Sequence, residues 1–222
     1  MRSAWVSMAF AVGVALLLGA MTAACGGEES DEPPLYVVAS DVCDGVFQEK
    51  RASEAVERIL GSGPYGSAGR DAVKRVADAL RDGFASGRSW SSATELCPLA
   101  PKRSRTLDQG SLAFSIYDPS DVGTGKLPAG ARFYAMGEEA VAGPGMAEIY
   151  FTCASPDLEG STDGPLRVQG RLSLGSGLEK DSDEHREAGL TVVHAASLAV
   201  AEELECKDNG GLPQQPVLTE AP

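Results

Sequence analysis

Two histidines, His185 and His194, four spaced cysteines (Cys43, Cys97, Cys153 and Cys206) and two glycine-rich runs are where this 222-residue chain could carry chemistry. The histidines are nine residues apart. On a helix that spacing is a rotation of about 900°, which puts the rings on opposite faces and prevents them from chelating one metal. Asp181, Asp183, Glu184 and Glu187 surround His185, but acidic groups in a first helical turn are accounted for by the helix dipole. Gly61-Ser62-Gly63-Pro64-Tyr65-Gly66 matches G-x-G-x-x-G. The dinucleotide motif must follow a strand and open a helix, whereas this run follows a helical pattern and Pro64 removes a backbone donor, so it reads as a loop. Gly123-Thr124-Gly125-Lys126 lacks the upstream glycine of a phosphate loop and has Leu127 where Ser or Thr should contact magnesium. Neither G-x-S-x-G nor S-x-x-K occurs. No catalytic residue, cofactor or metal site is predicted.

The cysteines point to structure instead. None of the four lies in Cys-x-x-Cys spacing, which argues against a redox motif or a zinc knuckle. Outside the cytoplasm an even count implies disulfides, with three pairings open. Cys43–Cys97 with Cys153–Cys206 is favoured, because each pair then brackets one half of a domain.

Around these residues the pattern is helix, helix, strands, helix. Asp44–Leu60 has Ala52, Ala55, Val56, Ile59 and Leu60 at helical spacing, with a break near Lys50 and Arg51. Asp71–Ser86 carries Val73, Val76, Ala77, Leu80 and Phe84 on one stripe. The period then changes to two in Ser111–Asp118, Arg132–Met136, Met146–Cys153 and Leu166–Leu174, which predicts a sheet with one polar face. A final helix is predicted with Asp181 as cap and Leu190, Val193, Ser197, Val200 and Leu204 on one face. No strand–helix–strand alternation is present. The expected fold is one α+β domain over 35–208, an antiparallel meander of about four strands packed with three helices, followed by a disordered tail over 209–222. Trp90, close to Cys97, is expected to pack against the cystine.

The formal net charge is −13, and removing residues 1–24, which hold one basic group, leaves −14. Such a chain is not expected to bind nucleic acid. Residues 70–105 run the other way, with eight basic and four acidic groups. Arg70, Lys74, Arg81 and Arg88 are the candidates for a basic face that meets anionic headgroups or wall polymers; the competing reading is a solvated helix surface.

The N-terminus reads as a targeting segment. Arg2 opens it, Ser3–Gly27 holds no charge, Ala11–Leu18 is the most apolar stretch, and Gly19, Ala20, Thr22, Ala23 and Ala24 lead to Cys25. The run Ala20–Gly26 resembles the lipobox of bacterial lipoproteins, with Thr22 where that family usually has Leu. The resemblance implies a signal peptide over 1–24, removed before a Cys25 that becomes lipidated. Residues 25–34 (CGGEESDEPP) form an acidic tether, whose reach is about 30 Å. An uncleaved membrane-spanning anchor and free secretion are the alternatives. With the Val42-Cys43-Asp44-Gly45 turn, the chain resembles actinobacterial membrane-anchored lipoproteins of the Streptomyces type. That style implies a lipid-anchored domain on the outer face of the bacterial cytoplasmic membrane. The expected role is a non-catalytic binding or accessory module for an envelope protein or wall polymer. An extracytoplasmic enzyme with an unrecognised site, or a small solute-binding lipoprotein, is the alternative.

Overall fold

The computed structural model describes residues 34–123 and 127–221. Cys25, the signal segment and most of the tether lie outside them, as does most of the Gly123–Lys126 run. Among the described residues no helix is long and apolar enough to cross a membrane.

The chain begins with β1 (Tyr36–Val37), which pairs antiparallel with β2 (Tyr65–Gly66). Between them lie the four-residue α1 (Val42–Gly45) and α2 (Lys50–Leu60). Inside α1 the backbone turns left-handed at Cys43 (φ 56°) and Asp44 (φ 64°), followed by Gly45 (φ 79°). Non-glycine residues pay for that conformation, and here two bonds hold it. Cys43 is disulfide-bonded to Cys97, and the Asp44 carboxylate accepts from the Ala72 amide at 3.3 Å. That amide opens α3 (Ala72–Ala85), so a residue 28 positions upstream satisfies one of its orphan donors.

The main sheet has six antiparallel strands: β3 (Thr94–Leu99), β4 (Gly110–Ile116), β5 (Arg132–Tyr134), β6 (Glu139–Gly143), β7 (Met146–Cys153) and β8 (Leu166–Leu174). Their order is β3-β4-β8-β7-β6-β5. The α+β class is as expected, but the sheet is larger than four strands. β3 carries Pro98, which breaks a strand pattern yet is tolerated on an edge. β6 reads EAVAG and shows no alternation, since its alanines are small for packing reasons.

Those reasons lie in α4 (Asp183–Glu203), which packs across one face of the sheet and against α2 and α3. Ala140, Ala142 and Ala147 beneath it are fully buried. At Gly170 a Cβ would lie 2.6 Å from the Ser197 hydroxyl and 2.8 Å from the Phe114 ring, so helix and sheet meet at backbone distance. The cap of α4 is Ser182, whose hydroxyl accepts from the His185 amide. Asp181, the expected cap, pairs instead with Arg186. At the other end Arg81 of α3 donates to the Glu203 carbonyl at 2.5 Å, a cation on a helix C-terminus.

The segment 209–222, expected to be a disordered tail, packs down as far as it is described. Cys206 is bonded to Cys153. Leu212 is buried and Leu218 lies against the core. The Ala221 amide donates to the Phe133 carbonyl, and Glu220 forms a bridge with Tyr134 of β5. A Gly/Pro/Gln-rich composition hid this, because the ordering comes from the disulfide and from scattered apolar anchors.

Two stability outcomes follow from this packing. Gly170→Val should destabilise by roughly 1–3 kcal/mol or more through overpacking, read as a lower urea midpoint. Replacing Cys153 and Cys206 together by serine should cost about 2–5 kcal/mol, measured by denaturant unfolding without reductant.

Candidate functional site: the strapped face of the sheet

The helices cover one face of the six-stranded sheet. The other face takes the alternate residues of each strand: Ser115 from β4, Arg167, Gln169 and Arg171 from β8, Glu148 and Tyr150 from β7, and Glu139 and Val141 from β6. The connection from β4 to β5 must travel from the second strand to the far edge, and its described parts meet this face. Along it the Gly123 amide donates to Glu139 Oε2 at 3.0 Å. Pro128 and Ala129 lie beside Met146, Arg171 and Ser173. Tyr150 and Val141 on this face are buried, and the described parts of this strap meet the same face.

The polar side chains there form a connected network. Ser115 donates to Gln169 Oε1 at 3.1 Å, and Gln169 Nε2 donates to the Tyr150 hydroxyl at 2.8 Å. Tyr150 in turn donates to Glu148 Oε2 at 2.9 Å. Arg171 lies 3.3 Å from the other oxygen of Glu148. Tyr117, at the end of β4, donates to Glu138 at 2.5 Å and meets Tyr150 edge to face, with centroids 5.1 Å apart. Burial, then the neighbouring glutamate, pushes both tyrosines well above the ordinary phenol range. They therefore remain neutral donors. Each carboxylate is engaged: Glu138 by Tyr117, Glu139 by Gly123, and Glu148 by Tyr150 and Arg171. Such groups are fixed in direction. Beside the network is a cleft of about 390 Å³ bounded by Pro128, Pro144, Met146, Arg171 and Glu179.

Sequence reasoning found the polar face of β8 but not Tyr117, Glu138, Tyr150 or Glu148 as one cluster. The available signal was the alternation in Met146–Cys153, which sets Glu148 and Tyr150 on one side.

The proposed basic face does not converge. Lys74 pairs with Asp78 at 2.6 Å, Arg81 is drawn to Asp78 and the end of α4, and Arg70 and Arg88 flank opposite ends of α3. A helix of 14 residues holds such ends about 21 Å apart. Trp90, expected against a cystine, is 63% exposed beside Arg88. The G-x-G-x-x-G run is a loop that enters β2 at Tyr65, and its Gly63 lies under the Tyr65 ring, where a Cβ would stand 2.2 Å from it.

Both histidines are buried in α4. His194 Nε2 lies 2.8 Å from the Pro213 carbonyl, fastening the C-terminal segment. Neither ring nitrogen of His185 has a partner in hydrogen-bond geometry; the Pro144 carbonyl favours its charged form but is outweighed by burial. Arg186 beside it is also buried and is held by Asp181, Asp183 and the Gly130 carbonyl. Through Gly130 it fixes the end of the strap. Among the described residues no group of three or more His, Cys, Asp and Glu could hold a metal ion.

No family model matches the chain. No curated protein matches it, and no solved structure does.

Burial depresses both histidine pKa values from the ordinary 6.5. Below about pH 6.5 the unfolded chain binds protons that the folded one refuses, so stability is lost as pH falls through that window, while these two groups leave it unchanged above. Urea midpoints should drop between pH 7.5 and 5.5, and His185→Leu should shrink the drop.

Proposed function

We propose that this chain is an exported cell-envelope lipoprotein, anchored through Cys25 on the outer face of the cytoplasmic membrane, that recognises an envelope protein or wall polymer through the strapped face of its sheet. Two disulfides suit an oxidising compartment. The lipobox-like run and the short tether support the anchor.

One observation carries the recognition half. Glu138 and Arg171 are exposed and Gln169 is half-buried, and each is held in direction from beneath, by Tyr117, Glu148 and Tyr150 respectively. Preorganised polar groups lose little freedom on binding. Arg171, more than half exposed at its side chain, supplies a planar cation for carboxylate or phosphate groups. A second reading, a small solute-binding lipoprotein, is favoured by the cleft, whose volume falls within the range of small-ligand sites.

A photoreactive amino acid at Ser173 tests the first reading in intact cells, with one at exposed Glu54 on α2 as control. A discrete adduct from position 173 but not from 54 is expected, and Arg171→Ala should weaken it by about tenfold or more. Equal or absent adducts would refute a binding role for this face. Fatty-acid labelling tests the anchor separately: Cys25→Ala should abolish the label.

A further inference from the structure

Five large apolar side chains are markedly exposed among the described residues, and their placement is uneven. Leu35, Tyr36 and Val38 cluster at the start of the domain, while Trp90 and Leu107 lie apart from them in the chain. Alternation in β1 turns Val37 toward the core and its neighbours outward. The start of the domain adjoins the beginning of the β3–β4 loop. β1 pairs with β2, Tyr65 of β2 bridges to Pro101, and the Lys102 amide donates to the Pro64 carbonyl. Lys102 then reaches over the Tyr36 ring, with its ammonium 4.7 Å from the centroid. Lys102 and Arg103 are exposed and take part in no ion pair among the described residues. Arg105 on the same loop is paired with Asp108.

We infer that Leu35, Tyr36 and Val38, with Lys102 and Arg103, form a docking patch for an anionic lipid surface. Two facts select this occupant. Only nine residues separate Cys25 from Leu35, so an anchored chain holds the patch within about 30 Å of the bilayer. The patch also combines apolar side chains with unpaired cations on a chain of net charge −13, the composition that interfacial binding requires. Glu28, Glu29, Asp31 and Glu32 in the tether oppose the charge part, which leaves the apolar insertion to hold the contact. The inference rests on the anchored reading above, which supplies the proximity.

The test uses the protein as isolated from cells, in vesicles of phosphatidylcholine and phosphatidylglycerol at 7:3 carrying a phosphatidylcholine with a photoactivatable acyl chain. Mass spectrometry should place label on peptides containing residues 35–38. The double variants Leu35→Ser/Val38→Ser and Lys102→Gln/Arg103→Gln should each reduce it by about tenfold. Label confined to the Cys25 peptide, or spread evenly over the domain, would overturn the docking. Crosslinks joining Lys102 of two chains, with the patch unlabelled, would assign it to a second copy and overturn it equally. The mass of the Cys25 peptide is read from the same digest. An unacylated Cys25 defeats the anchor, while label at 35–38 on vesicle-bound chains still decides the docking.

Discussion

The structure depends on burying one helix almost completely. A helix on a surface spends one stripe on the core; α4 is covered by the sheet, α2, α3 and the C-terminal segment, and its buried set includes His185, Arg186, Thr191, His194 and Ser197. Each polar group inside needs an answer. Thr191 donates back to the Glu187 carbonyl, His194 finds Pro213, and Arg186 finds two aspartates and Gly130. His185 and the Ser197 hydroxyl find none. The small residues of β6, β7 and β8 then follow, because only Ala and Gly let the helix approach this closely.

Burying α4 also decides what the other side of the sheet can be. With the helices committed to one face, the opposite face meets the described parts of the β4–β5 connection instead. The residues beneath it are accordingly tyrosines, glutamates, a glutamine and arginines that satisfy one another. Core and candidate site are two sides of one constraint. Arg186 links them directly, reaching from α4 to the strap at Gly130.

This division marks what could be read from residues alone. Periodicity placed α3 over nearly its full span, and Met146–Cys153 and Leu166–Leu174 coincide with β7 and β8, because those segments alternate strictly between a packed and a polar face. β3 and β6 escaped, one through Pro98 and the other through alanines that answer to a helix 50 residues away. The candidate site was half legible. Arg167, Gln169 and Arg171 stand out on β8, but Tyr117 and Glu138 join them only through the strand order, which no local pattern encodes. The C-terminal segment was misread for a similar reason: its order is imposed by Cys206, Leu212 and Glu220 contacts with distant elements.

The two outer strands of the sheet have a bearing on how such molecules tolerate crowding. An open strand edge is a template on which a second chain can zip, and natural sheets take steps to blunt it. Here neither edge is left open. Along β3 the register shifts between Glu95 and Cys97, Arg75 occupies the Glu95 and Leu96 carbonyls, Pro98 offers no amide, and β2 takes over at Ala100 and Lys102. Along β5 the last residues of the chain supply the missing neighbour at Phe133 and Tyr134. Copies pressed together at high density therefore meet side chains rather than unpaired ladders along these stretches.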